Sequence, residues 1–170
     1  MSAVVRQAFI GGGANLGDRC ATLRAAIERL RKAPGMIALE SSSVHETDPV
    51  SPMEQPPFLN LAIGVETTLE PEALLTLLLE IEQEFGRVRT TRWGPRTLDF
   101  DLLAFEGETR ATPALQLPHP HLLGREFVTV PLREVIARPR FQRPCWDTLR
   151  RQLQALPPAA LQPLPGCPSP

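Results

Sequence analysis

The order of periodic segments in this 170-residue chain predicts an α+β fold, with helices lying on the faces of one antiparallel sheet. Three observations carry that expectation. Two stretches have apolar residues at helical spacing, several others alternate with period two, and Gly or Pro separates one kind from the next. A chain of this length fits one domain better than two, and it can bury roughly 70% of its unfolded surface.

Each element has a local chemical reason. "VVRQAFIGGGANLGDR" begins as a strand and runs into a glycine-rich strand-to-helix turn, where the glycines are expected to supply unusual dihedrals. Asp18 then offers a helix N-cap, and Leu23, Ile27 and Leu30 give residues 19–32 one apolar stripe. Pro34-Gly35 stops that helix, and "MIALESSSVHE" continues as a strand before the Pro-rich loop "DPVSPMEQPP". In "FLNLAIGVETT", Leu59, Leu61, Ile63 and Val65 share one face, and Phe58, Asn60, Ala62 and Gly64 the other. "EPEALLTLLLEIEQEFG" is a helix with Pro71 in its first turn, Leu74, Leu78, Ile81 and Phe85 on its apolar stripe, and Gly86 as its stop. "LDFDLLAFEGETRATPALQ" reads as a hairpin turning near Glu106-Gly107. "PHPHLLGREFVTVPLREVI" is a loop leading to a short helix, and "WDTLRRQLQAL" forms a last one. The resulting order, βαββαβ and a further strand, is that of a ferredoxin-like sandwich. Residues 1–158 make the single domain, and the Pro-rich residues 159–170 are expected to be a flexible tail without secondary structure.

Eighteen Lys and Arg against nineteen Asp and Glu give a net charge of -1. That balance supplies no field for nucleic acid or an anionic membrane, so any attraction for phosphate must be local. Cys20, Cys145 and Cys167 are odd in number and lack CxxC spacing. They argue against a disulfide framework or a zinc site and, with no secretory-type start and no apolar run of membrane length, point to the cytoplasm.

The chemistry concentrates in "GRVRTTRWGPRTLDFDLL". On a strand, Asp99 and Asp101 leave the same face with Cα atoms about 6.6 Å apart, while Leu98, Phe100 and Leu102 face the core. Two carboxylates so placed repel unless a divalent cation lies between them, and hard oxygen donors suit Mg²⁺. Arg87, Arg89, Arg92 and Arg96 precede them, and Arg is suited to bidentate phosphate contacts. Cations beside a metal-binding carboxylate pair are what phosphoryl transfer requires. A metal-dependent nucleotide-sugar transferase would use the same DxD pair, and a ferredoxin-like RNA-binding module is a third reading, disfavoured by the near-neutral charge. The glycine-rich turn matches neither a P-loop nor a dinucleotide fingerprint. His119, six residues before Arg125, is a candidate phosphate donor, whereas His121 has less to recommend it and His45 shows no functional signal. Trp93 is either a hinge anchor or a lid over a flat ligand, and Asn60 beside Phe58 can pair with and stack on a heterocycle.

These segments, with "GGGANLGDR", "ETDPV", "QPPFLNLAIGVETTL" and "LPHPHLLGREFVTVPLREV", are similar in consistent order to the 6-hydroxymethyl-7,8-dihydropterin pyrophosphokinases of folate biosynthesis. The resemblance covers roughly residues 5 to 136. It implies a ferredoxin-like fold and transfer of the β,γ-pyrophosphoryl group of ATP to the pterin hydroxymethyl oxygen, releasing AMP. It further implies two Mg²⁺ ions on Asp99 and Asp101, with Arg87 and Arg96 as catalytic groups on the phosphates. Arg89, Arg96, Leu102, His119 and Arg125 would bind ATP, Leu102 beside the adenine. Phe58 and Phe127 would sandwich the pterin, Asn60 would bond its edge, backbone groups around Thr47, Pro49 and Val50 would complete the pocket, and Trp93 would close over it. Closure of the Pro-rich and Arg/Trp loops would exclude water. A monomer is expected, with a dimer left open. The chain departs from the family pattern at Gly13-Ala14-Asn15, where a Ser usually occupies the middle position, and at Ala114 and Gln116, where some relatives carry basic or hydroxyl residues.

Overall fold

The computed structural model describes residues 2–86 and 97–167. Arg87, Arg89, Arg92, Trp93 and Arg96 lie outside the described residues.

Strands β1 (Arg6–Ala14), β2 (Met36–Ser41), β3 (His45–Thr47), β4 (Phe58–Thr67) and β5 (Asp99–Phe105) form one sheet. Its order is β2-β4-β1-β5, with β3 paired to the far end of β4, and each pairing is antiparallel. Helices α1 (Arg19–Arg31) and α2 (Pro71–Glu84) cover one face. The other carries α3 (Glu126–Ile136) and α4 (Asp147–Ala155). This is the ferredoxin-like arrangement expected from the element order, extended by a C-terminal helical layer.

The period-two patterns decide what packs where. Ala8 and Ile10 of β1, Leu59, Leu61, Ile63 and Val65 of β4, and Phe100 and Leu102 of β5 join the α1/α2 core. Phe9, Ala62 and Leu103 face the α3/α4 core, where the Phe9 ring meets Phe141 at a tilt and Trp146 edge to face. Gly64 makes room for this second layer, since a Cβ there would lie 2.4 Å from the Phe141 ring. Local signals set the helix ends. The Asp18 carboxylate accepts from the Ala21 amide at 3.0 Å, Pro71 opens α2, and Gly86 ends it at φ 78°.

Three expectations are corrected. The chain does turn at Glu106-Gly107, but the next segment does not pair back onto β5; instead β6 (Arg110–Ala111) pairs with β7 (Gln116–Leu117) as a separate small hairpin. Gly11, Gly12 and Gly13 belong to the extended strand β1, and the positive φ of the segment, 66°, is at Gly17. Cys20 and Cys167, 147 residues apart, form a disulfide with Cα atoms at 5.8 Å, leaving Cys145 free and exposed. Sequence spacing could not reveal that pair, because proximity depends on the tail folding back. It does so as an edge segment: Pro163 bridges to His45, and the Leu164 amide donates to the Val44 carbonyl at 2.8 Å. Among the described residues no helix is long and apolar enough to cross a membrane.

Candidate active site

A cavity of about 320 Å³ opens on the α3 side of the sheet. It is lined by Thr47, Val50, Phe58, Asn60, Asp99, Asp101, His119, Arg125 and Phe127, so residues expected from four distant segments converge. Pro49 and Leu102 are not part of its lining. Leu102 is buried in the α1/α2 core on the opposite face of β5 from the aspartates, so an adenine contact through it finds no support here.

Strand register builds the floor. Asn60 of β4 is paired with Gly13 of β1, and Gly13 with Asp99 of β5. One row further, Ala62, Gly11 and Asp101 are paired in the same way. Neighbouring strands lie about 4.8 Å apart, so the amide and the carboxylate of one row are separated by roughly 10 Å of bare main chain. A Cβ at Gly13 would stand 3.0 Å from Asn60 Oδ1. Gly13 is thus needed for open space over the strand, a role that sequence reasoning missed because it placed the glycines in the turn.

At one end of the row, Asn60 Nδ2 donates to Thr47 Oγ1 at 2.6 Å. That bond fixes the amide and turns its Oδ1 toward the bare floor. Phe58 from β4 and Phe127 from the first turn of α3 bring aromatic rings to the same cavity. The Pro-rich loop is tied down behind Phe58: Asn15, itself buried, donates to Gln55 Oε1 and the Pro56 carbonyl, and Arg19 donates to the Pro57 carbonyl at 2.8 Å. These two residues were not anticipated; an Asn and an Arg flanking a helix start give no distinguishing signal.

At the other end, Asp99 and Asp101 are half-buried on the cavity face, and Phe100 between them is 4% exposed in the core. Glu82 of α2, also buried, accepts from the Phe100 amide at 2.7 Å. Strand β5 is the sheet edge there, so this bond satisfies an outward N–H and holds the strand between its two aspartates. The His119 amide donates to the Leu103 carbonyl of β5 at 2.8 Å. Its Nδ1 accepts from the His121 amide, which leaves Nε2 to carry the proton of the neutral ring. Burial, then the nearby His121 and Arg125 charges, lower the His119 pKa, with Asp99 opposing. Arg125 precedes α3 and lies over the Phe127 ring at 5.6 Å, so a guanidinium and a helix N-terminus both stand at the cavity lip.

The donor set suits Mg²⁺. Two carboxylates share one strand face, and among the described residues no group of three or more His, Cys, Asp or Glu could hold an ion by itself. An ion with two protein ligands keeps water and takes its remaining oxygens from a substrate phosphate, as Mg²⁺ does and structural Zn²⁺ does not.

Comparison with known proteins identifies the family. A family profile described as 7,8-dihydro-6-hydroxymethylpterin-pyrophosphokinase matches residues 9–137. The chain is 44% identical over 128 residues to the 2-amino-4-hydroxy-6-hydroxymethyldihydropteridine pyrophosphokinase of Bacillus subtilis, covering 75% of this chain and 77% of that protein. It is 35% identical to the protein of the same name from Pseudomonas aeruginosa over 163 residues, 96% and 99% of the two chains. Among solved structures, wild-type HPPK-DHPS of Plasmodium falciparum shares the fold with a TM-score of 0.59 at 15% identity, over 87% of this chain and 43% of that one. The chain therefore belongs to the 7,8-dihydro-6-hydroxymethylpterin-pyrophosphokinase family.

Proposed function

We propose that this chain transfers the pyrophosphoryl group of ATP to the hydroxymethyl oxygen of 6-hydroxymethyl-7,8-dihydropterin in a Mg²⁺-dependent reaction, releasing AMP. Family membership makes it a pyrophosphokinase of folate synthesis and removes the nucleotide-sugar transferase and RNA-binding alternatives. The observation that best supports this substrate pair is the row Asn60–Gly13–Asp99, which joins an aromatic-amide end to a carboxylate end across one open floor.

Phe58 and Phe127 would take the flat ring between them, and Asn60 Oδ1 would accept from its N–H edge. Thr47 holds the amide in that orientation before substrate arrives. Asp99 and Asp101 would hold two Mg²⁺ ions, which when bound neutralise phosphate charge and make the hydroxyl more acidic. His119 would donate from Nε2, and Arg125 from its guanidinium, to the triphosphate. Arg87, Arg89 and Arg96 are assigned to phosphate and Trp93 to closure over the pterin by resemblance alone. Bringing the hydroxyl and the β-phosphorus into line over the bare floor is then the main catalytic task, and no side chain is required as an obligatory base.

The nucleotide product tests the reading. Incubation with ATP, Mg²⁺ and the hydroxymethyl-dihydropterin should yield AMP in step with the pterin diphosphate. Formation of ADP would show transfer of a single phosphoryl group and reject it.

A further inference from the structure

The pterin wall of the cavity rests on β3, and β3 has the C-terminal segment as its outer neighbour. Thr47 of β3 pairs with Phe58 and bonds Asn60, while His45 is bridged from outside by Pro163, and Val44 by Leu164. His45 is 3% exposed, and among the described residues neither of its ring nitrogens has a hydrogen-bond partner, so this edge is sealed by covering rather than by polar contacts. The covering segment is fastened at Cys167, buried in the α1/α2 core, by its bond to Cys20 in the first turn of α1. Cys20 follows Arg19, whose guanidinium binds both Glu46 of β3 at 2.9 Å and the Pro57 carbonyl of the Pro-rich loop. The covalent bond joins the tail to the helix start, and Arg19 beside it reaches the segments that carry Thr47 and Phe58 through an ion pair and a hydrogen bond.

We propose that the Cys20–Cys167 disulfide is a thiol-responsive strap that braces the pterin wall, so that its reduction weakens pterin binding and leaves ATP binding unchanged. The proposal rests on the assignment of Thr47, Phe58 and Asn60 to the pterin. Chemically, a dithiol reductant attacks the Cys20 sulfur, the more exposed of the two, and Cys167 leaves as a thiolate. The reductant's second thiol then displaces Cys20, so that the protein gains two electrons and two protons and the reductant becomes a disulfide. Cys145 is the built-in reference, an exposed free thiol outside the bond, whose pKa partial desolvation and the Glu106 carboxylate raise.

The test uses the full chain before and after treatment with dithiothreitol. Alkylation under denaturing conditions counts the thiols, and titrations with 6-hydroxymethylpterin and with the ATP analogue AMPPCP plus Mg²⁺ give the two Kd values. The expected result is one thiol becoming three, a pterin Kd raised at least threefold, and an AMPPCP Kd within twofold. Cys167→Ser and Cys20→Ser, each checked for native circular dichroism, should bind pterin as the reduced chain does and ignore dithiothreitol. Three thiols before treatment, or equal pterin Kd values in both states, would overturn the strap alone. Failure to bind pterin in either state would overturn the site assignment and the strap with it.

Discussion

At the scale of single residues, the site depends on side chains whose aim is set by neighbours with no part in the chemistry. Phe100, the residue between the two aspartates, buries its ring in the α1/α2 core, and Glu82 holds its amide, so Asp99 and Asp101 are fixed on the cavity face. Asp99→Asn and Asp101→Asn keep that packing and remove charge. Metal binding to a transferring phosphate is worth several kcal/mol and each ~1.4 kcal/mol is tenfold in rate, so either change should slow AMP formation by about a hundredfold or more. A variant within a few-fold of the wild-type rate would place the metal elsewhere. That the aspartates, Asn60, Phe58 and His119 would gather at one cavity was legible because their residue types suit a metal, a flat ring and phosphate. Glu82 and Asn15 were not, since a buried acid on a helix and an amide after a strand become meaningful only once their partners, Phe100 and Pro56, are known.

At the scale of elements, strand alternation was the most readable property. Every residue assigned to the aliphatic face of β4 is in the α1/α2 core; α1 starts directly after Asp18 and ends three residues before Pro34, and α2 starts at Pro71 and ends two residues before Gly86. The hairpin after β5 was misplaced because a Gly turn shows that the chain reverses but not which strand it then meets; the pairing of Arg110 with Leu117 is a local one. Gly64 shows the reverse case, a residue with no turn to make whose reason lies in the opposite layer. A Cβ there would come within 2.4 Å of Phe141 and 2.8 Å of Val135. Gly64→Ala should therefore cost roughly 1–3 kcal/mol by overpacking and lower Tm by several degrees, about 2–4 °C per kcal/mol in a domain of this size. Because Gly64 does not line the cavity, KM for both substrates should be unchanged. A thermal melt that matches wild type would mean the α3 layer shifts freely on the sheet.

At the scale of the whole molecule, the Cys20–Cys167 bond closes nearly the entire chain into one loop, its ends 147 positions apart in sequence. Cross-links of this kind typically contribute about 2–4 kcal/mol, chiefly by limiting the unfolded chain. Reduction should accordingly lower Tm by roughly 5–15 °C. A change of less than a degree under dithiothreitol would show that the tail contributes nothing to global stability. No reading of composition could have found this bond, because loop closure over such a distance is visible only after the chain has folded. The floor of the cavity carries a different consequence, one for selection. Gly11 and Gly13 present main chain where most pockets present side chains. A compound resting on that floor contacts nothing that a point mutation can trim away. Substitution there can only add bulk, and at Gly13 that bulk would press on Asn60, so resistance at the floor would be acquired at the natural substrate's expense.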